Sequence, residues 1–252
     1  HRTRAVIEIA GDRTAPSLTI SSSNGSSGTT SNDANITINF ALSESSPDFG
    51  VNDVSVQGGL LSNFQKGTGN SYSATFTPTV DGSTSISVGA GTFVDDAGNV
   101  NTSSNTFNWS FDTVIGDPSL ELSTSSNTGF KHDYITSDAT PTFSGTAEPN
   151  SSVKIFNGNT EIASNISVNG QGNWIHTIGA LELGTHSIKV QAQDIAGNIS
   201  NFVAQDYKIE PQNTFVVNPE NANEINSSQL KNDTSKKSHG LNDNHILNVK
   251  DV

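Results

Sequence analysis

Apolar and polar residues alternate with a period of two along much of the chain, which is typical of half-buried β-strands. The first half carries such runs at residues 17–20, 36–42, 72–76, 86–88 and 107–111, and residues 21–33 read as a polar loop. The second half carries them near residues 120–122, 142–146, 153–156, 162–168, 174–178, 186–193 and 202–209. Turns rich in Gly and Asn separate the runs. The pattern predicts an all-β protein built as a β-sandwich.

A five-residue motif occurs twice and divides the chain into two units. It reads Asp-Asp-Ala-Gly-Asn at residues 95–99 and Asp-Ile-Ala-Gly-Asn at residues 194–198, so its first aspartates lie 99 positions apart. Each copy stands between two alternating runs and therefore predicts a hairpin turn. A short joint leads into each unit, at residues 12–16 and 112–118, and the aspartates that open the two joints, Asp12 and Asp112, lie 100 positions apart. A period near 100 residues indicates two tandem domains, at 12–112 and 113–210.

Both ends of the chain differ from these two units. Residues 1–11 contain a strand-like stretch and are interpreted as the end of a preceding domain, so the chain is read as part of a longer protein. Residues 211–252 are rich in Asn, Ser, Asp and Lys, and they are predicted to be a polar tail, either disordered or the start of a C-terminal region.

Composition limits the possible partners. The chain has 252 residues, a net charge of −13 and no cysteine, so disulfides and thiolate zinc sites are excluded. Residues 12–210 carry 19 acidic and 6 basic side chains, a surface that repels nucleic acid and anionic lipid and attracts cations. The alternative explanation is that the acidic side chains only keep the protein soluble. Because of this acidic surface, nucleic-acid binding is not expected. No apolar run reaches the roughly 18 residues of a membrane span, so membrane insertion is not expected either.

Several longer motifs carry a resemblance to a known family. In the first unit they are residues 18–20 (Leu-Thr-Ile), 40–44 (Phe-Ala-Leu-Ser-Glu), 58–64 (Gly-Gly-Leu-Leu-Ser-Asn-Phe) and 74–78 (Ala-Thr-Phe-Thr-Pro). In the second they are residues 140–150 (Thr-Pro-Thr-Phe-Ser-Gly-Thr-Ala-Glu-Pro-Asn), 172–174 (Gly-Asn-Trp) and 194–198. With these motifs the chain resembles the bacterial Ig-like repeats of large, biofilm-associated surface adhesins exported by type I secretion.

The resemblance implies two tandem Ig-like antiparallel β-sandwiches in a monomer on the bacterial surface, with neighbouring Ig-like repeats of the same chain as partners. It also implies a secreted protein of cell adhesion and biofilms. One departure is that Glu210, followed by Pro211, stands where a further joint aspartate is expected. The array is therefore predicted to end there.

Acidic residues are expected to meet at one end of each Ig-type sandwich. The start of the domain lies there together with the loops that join the second to the third and the sixth to the seventh strand. The predicted metal ligands are Asp12, Glu44, Asp95, Asp96 and Asn99 in the first unit, and Asp112, Glu148, Asn150, Asp194 and Asn198 in the second. Converging carboxylates repel one another unless a cation lies between them, and oxygen ligands in loose geometry suit Ca²⁺. Alternatively, Asp and Asn are ordinary turn formers.

Other candidate residues are assigned to packing. The histidines lack the His-x-x-x-His spacing of a zinc site, and His186 shares a strand face with Ile188 and Val190. Trp109 and Trp174 lie in alternating strands and are predicted to be core residues. No catalytic signature is present, so no enzymatic activity is expected.

The sequence therefore predicts a structural role, as a calcium-stiffened stalk that extends a distal binding domain of an adhesin. Two alternatives remain open from the residues. One is an Ig-like module that itself binds a glycan or a host protein, which a cleft with solvent-facing aromatic side chains would favour. The other is a non-catalytic β-domain of an extracellular hydrolase.

Overall fold

The computed structural model describes residues 11–128, 130 and 133–212. The predictions for residues 1–10 and 213–252 therefore lie outside the described residues. The described part folds into β-strands and one short 3-10 helix, Val51–Asp53. The predicted all-β class is confirmed.

The first domain is a sandwich of two four-stranded sheets. Its strands are β1 (Leu18–Ser22), β2 (Thr29–Ser31), β3 (Ile36–Leu42), β4 (Val54–Gln57), β5 (Gly59–Lys66), β6 (Ser71–Pro78), β7 (Gly82–Val88) and β8 (Phe107–Phe111). One sheet has the order β1-β3-β6-β5 and the other β2-β8-β7-β4. Only β2 and β8 pair in parallel, and the other pairs are antiparallel. Inward-facing residues such as Phe40, Phe76 and Trp109 fill the space between the sheets.

The second domain is also a sandwich of two sheets, but its sheets have three and five strands instead of four each. Its strands are β9 (Glu121–Leu122), β10 (Ile135–Thr136), β11 (Thr142–Thr146), β12 (Ser152–Asn157), β13 (Thr160–Ser167), β14 (Asn173–Thr177), β15 (Gly184–Gln193) and β16 (Val203–Ile209). They form a three-stranded sheet, β14-β11-β9, and a five-stranded sheet, β10-β16-β15-β12-β13. Phe143, Ile188 and Tyr207 belong to its core. The two cores share no residue, so each domain buries its own apolar side chains.

The structure corrects the strand prediction in three places. Residues 21–33 were predicted to be a loop, but they contain β2, which is only three residues long and half-buried throughout. The equally short β10 was also missed, because neither strand has room to show an alternating pattern. Between residues 43 and 71 no strand was predicted, yet β4 and β5 form there. In β5 the register shifts between Ser62 and Gln65, and Asn63 has φ of 51°, so its alternation is interrupted.

The joint between the domains is tied to both of them. The Asp112 N–H donates to the Ser31 carbonyl at 3.2 Å, and the Thr113 hydroxyl donates to the Asp81 carboxylate at 3.0 Å. At the far end of the joint, the Asn201 N–H donates to Asp117 at 3.0 Å. The connection is short and hydrogen-bonded, and it contains no Gly-Ser spacer that would act as a flexible tether.

Candidate metal centres at one end of each domain

The repeated motif forms the same tight hairpin in both domains. The Asp95 N–H donates to the Asn99 carbonyl at 3.1 Å, and the Asp194 N–H donates to the Asn198 carbonyl at the same distance. The glycine of each copy has a positive φ, 87° in the first hairpin and 97° in the second. A side chain at this position would be strained, which explains why glycine closes the turn. The hairpin turn predicted from the motif is therefore present in both domains.

The first aspartate of each hairpin is buried and held by hydrogen bonds. Asp95 accepts from the backbone N–H groups of Ala97 and Asn99, both at 2.8 Å, and from Asn99 Nδ2 at 2.8 Å. Burial by itself would raise the pKa of Asp95, but these hydrogen bonds together outweigh it and leave the pKa below its usual value. Asp194 accepts from the Asn198 N–H and Nδ2, both at 2.8 Å. Asp95 is therefore a carboxylate at neutral pH, with its geometry fixed by the hairpin.

Each buried aspartate is one member of a group of three carboxylates. Asp12, Glu44 and Asp95 can place one oxygen each within 4.8 Å of one another, and so can Asp112, Glu148 and Asp194. We call these groups triad 1 and triad 2. In each triad one residue comes from the joint, one follows β3 or β11, and one begins the hairpin. The ion pairs described elsewhere in the chain, Lys154–Glu161 and Lys208–Glu210, do not include any of the six.

The glutamate of each triad is affected by its acidic neighbours. Burial raises the pKa of Glu44, and the charges of Asp12, Asp95 and Asp96 raise it further. Burial likewise raises the pKa of Glu148, with further contributions from Asp194 and Asp112. Like charges held this close oppose ionisation. A cation placed among the three carboxylates would remove this penalty.

The joint enters each triad in the same way. Asn99 Nδ2 donates to the Asp12 carbonyl at 3.2 Å, and Asn198 Nδ2 donates to the Asp112 carbonyl at 2.9 Å. The joint aspartate also accepts, through its own Oδ1, from the N–H two residues later, at 2.9 Å in the first joint and 3.1 Å in the second. The hairpin asparagine thus links the joint backbone to the buried aspartate in both domains.

The remaining predicted ligands lie beside the triads. Asp96 is exposed and accepts a hydrogen bond from the Ser45 hydroxyl. Asn150 is exposed, with φ of 64°, in the turn that follows Glu148. Asn99 and Asn198 direct their amide nitrogens toward the carboxylates, so in this arrangement they orient the triads through donated hydrogen bonds. As metal ligands, all ten residues stay a prediction.

The chemistry of the triads suits a hard divalent cation. The donor atoms are carboxylate oxygens, and in triad 1 one aspartate is exposed, one glutamate is half-buried and one aspartate is buried. Such a set leaves positions open for water and accepts the loose geometry that Ca²⁺ adopts. Sulfur ligands are excluded by the composition, and no histidine belongs to either triad. The residues present therefore fit Ca²⁺.

The other side chains singled out in the sequence pack as predicted. His186 is half-buried, and its ring nitrogens lie 3.0 Å from Asn157 Nδ2 and 2.8 Å from the Glu182 carbonyl. Trp109 and Trp174 are 1% and 3% exposed. Asn32 of the first domain also contacts the hairpin of the second, and it is not among the residues predicted from the sequence. No local signal could have found it, because the contact joins positions 166 residues apart in different domains.

Comparison with known families identifies both domains. Residues 12–111 match a family model described as a bacterial Ig-like domain, and residues 114–210 match a second family model with the same description. The chain therefore carries two bacterial Ig-like domains in tandem. This confirms the predicted tandem Ig-like fold.

Several solved structures share similarity with the chain. The fibronectin(III)-like modules of Clostridium thermocellum CbhA are 15% identical, over 76% of this chain and 94% of that one, with a TM-score of 0.39. Yersinia pseudotuberculosis InvD is 19% identical, over 81% of this chain and 60% of that one, with a TM-score of 0.36. The BSP domain of a biofilm associated protein is 11% identical, over 78% of this chain and 30% of that one, with a TM-score of 0.29. No curated protein matches the chain in sequence. Among the described residues, no helix has the length and hydropathy of a membrane span.

Proposed function

We propose that residues 12–210 form a calcium-stiffened segment in the stalk of a bacterial surface adhesin. The observation that carries this proposal is the composition of each triad, which combines two carboxylates of a domain with the aspartate of the joint that leads into it. A cation bound there would connect the joint to the domain. The segment would have a mechanical role, which is to hold a distal binding domain away from the cell.

The stiffening follows from electrostatics. At neutral pH triad 2 brings together Asp112, Glu148 and Asp194, and their mutual repulsion favours movement of the joint away from the domain. Ca²⁺ would be held by these three carboxylates and would replace the repulsion with attraction. Because the Asp112 N–H is bonded to Ser31 of the first domain, fixing this residue also restricts the angle between the domains. Triad 1 offers the same arrangement to the joint at Asp12.

The rest of the chain supports a calcium-dependent protein at the cell surface. With no cysteine, disulfides cannot stabilise these domains, and bound ions would take over that role. Ca²⁺ at millimolar concentration, as found outside cells, is sufficient for sites of moderate affinity. The proposed partners are neighbouring Ig-like units of the same polypeptide. The glycan-binding alternative expected aromatic side chains facing solvent in a cleft. Both tryptophans are buried, whereas Phe130, Tyr134 and Phe202 are exposed.

Replacing Glu148 by Gln should have opposite effects with and without calcium. Without calcium, the pKa of Glu148 in the folded state lies above that in the unfolded state. Its contribution to stability is therefore present below the unfolded pKa and is lost as the pH rises through the folded pKa. At pH 7 in chelator, Glu148→Gln should raise the free energy of unfolding of the second domain by only roughly a few tenths of a kcal/mol, because Glu148 is half-buried and solvent partly screens its charge. In millimolar calcium the same change removes a ligand and should lower the free energy of unfolding.

Urea denaturation of wild type and variant in both conditions measures this reversal of sign. Glu182→Gln is the matched control, since Glu182 is an exposed glutamate of the same domain outside the triad. It should change stability equally little in chelator and in calcium. A Glu148→Gln variant that shifts stability in the same direction in both conditions would contradict the calcium site.

A further inference from the structure

A loop of the first domain contacts the hairpin of the second. Asn32 follows β2, and its backbone N–H donates to the Ala196 carbonyl at 3.1 Å. Its side-chain Nδ2 donates to Asn198 Oδ1 at 2.9 Å. Both acceptors belong to the tip of the hairpin that begins with Asp194. Asn32 therefore holds this tip at two points, one on the backbone and one on a side chain.

The contact continues directly into triad 2 through Asn198. The oxygen of this amide accepts from Asn32, while its nitrogen donates to Asp194 Oδ2 at 2.8 Å and to the Asp112 carbonyl at 2.9 Å. The amide thus has every polar atom committed, and only one orientation of the group satisfies all three partners. The contact with Asn32 and the contacts with Asp194 and Asp112 therefore favour the same orientation of the Asn198 amide.

The hairpin of the first domain provides an internal comparison. It has the same bonds between Asn99 and Asp95 and between Asn99 and the joint carbonyl of Asp12. Its tip is uncovered in the described part of the chain, where Ala97 is exposed while Ala196 is only 7% exposed. Within residues 11–128, 130 and 133–212, no donor to the Ala97 carbonyl or to Asn99 Oδ1 takes the place of Asn32. Among the described residues, the contact with Asn32 is therefore one difference between the two triads, besides the additional charge of Asp96 beside Glu44 in triad 1.

We propose that Asn32 is a positioning residue that couples the orientation of the two domains to ion binding at triad 2; this inference rests on the proposed calcium sites. Calcium that fixes Asp194 and Asp112 also fixes Asn198, and so presents Asn198 Oδ1 to Asn32. By linkage, the docked Asn32 must favour calcium at triad 2 to the same degree. Triad 2 therefore binds calcium more tightly when Asn32 is docked than when Asn32 is replaced, and triad 1 does not depend on Asn32.

The test is a calcium titration of the full chain followed by NMR, with the wild type and Asn32→Ala compared. The amides of Gly98 and Gly197 lie in the two hairpins and report the two triads separately in one experiment. Removing Asn32 should weaken calcium binding reported by Gly197 about fivefold, a typical coupling between sites, and should leave that reported by Gly98 unchanged. Asn52→Ala is the matched control, since Asn52 is an exposed asparagine in the 3-10 helix of the same domain.

A second measurement on the same variants reports the orientation directly. Because the chain has no cysteine, spin labels can be placed at single introduced cysteines, replacing the exposed Thr68 in one domain and the exposed Thr160 in the other. In calcium the distance distribution between the labels should be narrow for wild type and Asn52→Ala, and broader for Asn32→Ala. A purely local role of Asn32 would leave this distribution unchanged.

The possible outcomes separate the coupling from the calcium function. If calcium binds at both hairpins and Asn32→Ala behaves as wild type, or weakens both sites equally, the coupling is wrong and the calcium function stands. If neither glycine responds to calcium, the calcium function is wrong and the coupling with it. A loss confined to Gly197, with a broadened distance distribution, supports the coupling.

Discussion

Removing calcium should lower the melting temperature of both domains by roughly 10–20 °C. A ligand that binds only the folded state stabilises it by about 2.7 kcal/mol at a hundredfold excess over its Kd. In a domain of about 100 residues, each kcal/mol corresponds to roughly 4–8 °C. Asp194→Ala should abolish this effect in the second domain alone, because Asp194 belongs to triad 2 and the first domain keeps triad 1. Calorimetric melts in calcium and in chelator measure both transitions.

Asp206→Ala is the control for the loss of one negative charge from the second domain. Asp206 is an exposed aspartate of β16, outside the triads. Its replacement should keep the full calcium dependence of both transitions. Equal melting temperatures of the wild type in calcium and in chelator would contradict the proposed sites, whatever the variants do.

Phe143→Ala should destabilise the second domain by about 3–5 kcal/mol, as is usual when a large core aromatic residue is truncated. Phe143 is fully buried and packs edge-on against Tyr207, with 4.9 Å between ring centroids. Domains of this size have total stabilities of about 5–15 kcal/mol, so the second domain would lose a large fraction of its stability. The first domain should be unaffected, because the two cores share no residue.

Scanning calorimetry tests this prediction if the unfolding transition of each domain is followed separately. Ile175→Ala is the matched control, since Ile175 lies in the neighbouring strand β14 and is 64% exposed. It should change the second transition little. A parallel shift of both transitions in Phe143→Ala would mean that the domains unfold as one cooperative unit.

The strands that could be predicted from the sequence are those in which buried and exposed residues alternate. In β3 and β6 every second residue is buried, so a period of two marks them directly. β2 and β10 owe their existence to a parallel pairing with the last strand of their domain. Two or three residues cannot show a period, and their pairing partners lie 80 positions away for Thr29 and 73 positions away for Ile135, so the local sequence gives no sign of them.

The carboxylates of the site were predictable because the order of strands in an Ig-type sandwich fixes which loops meet. Asp12, Glu44 and Asp95 come from three separate loops, and the structure brings them together. The roles of the asparagines were not predictable from the sequence. Whether Asn198 offers its oxygen or its nitrogen to the carboxylates depends on the partners of the whole amide, and one of these partners, Asn32, belongs to another domain.

Small-angle X-ray scattering of residues 12–210, with and without calcium, tests the stalk function most directly. In millimolar calcium we expect an extended particle with a narrow range of inter-domain angles. In chelator, repulsion within triad 2 should free the joint and give a broader, more bent ensemble. An unchanged maximum dimension and flexibility on calcium removal, or a compact side-by-side pair of domains in either condition, would contradict the proposed calcium-stiffened stalk.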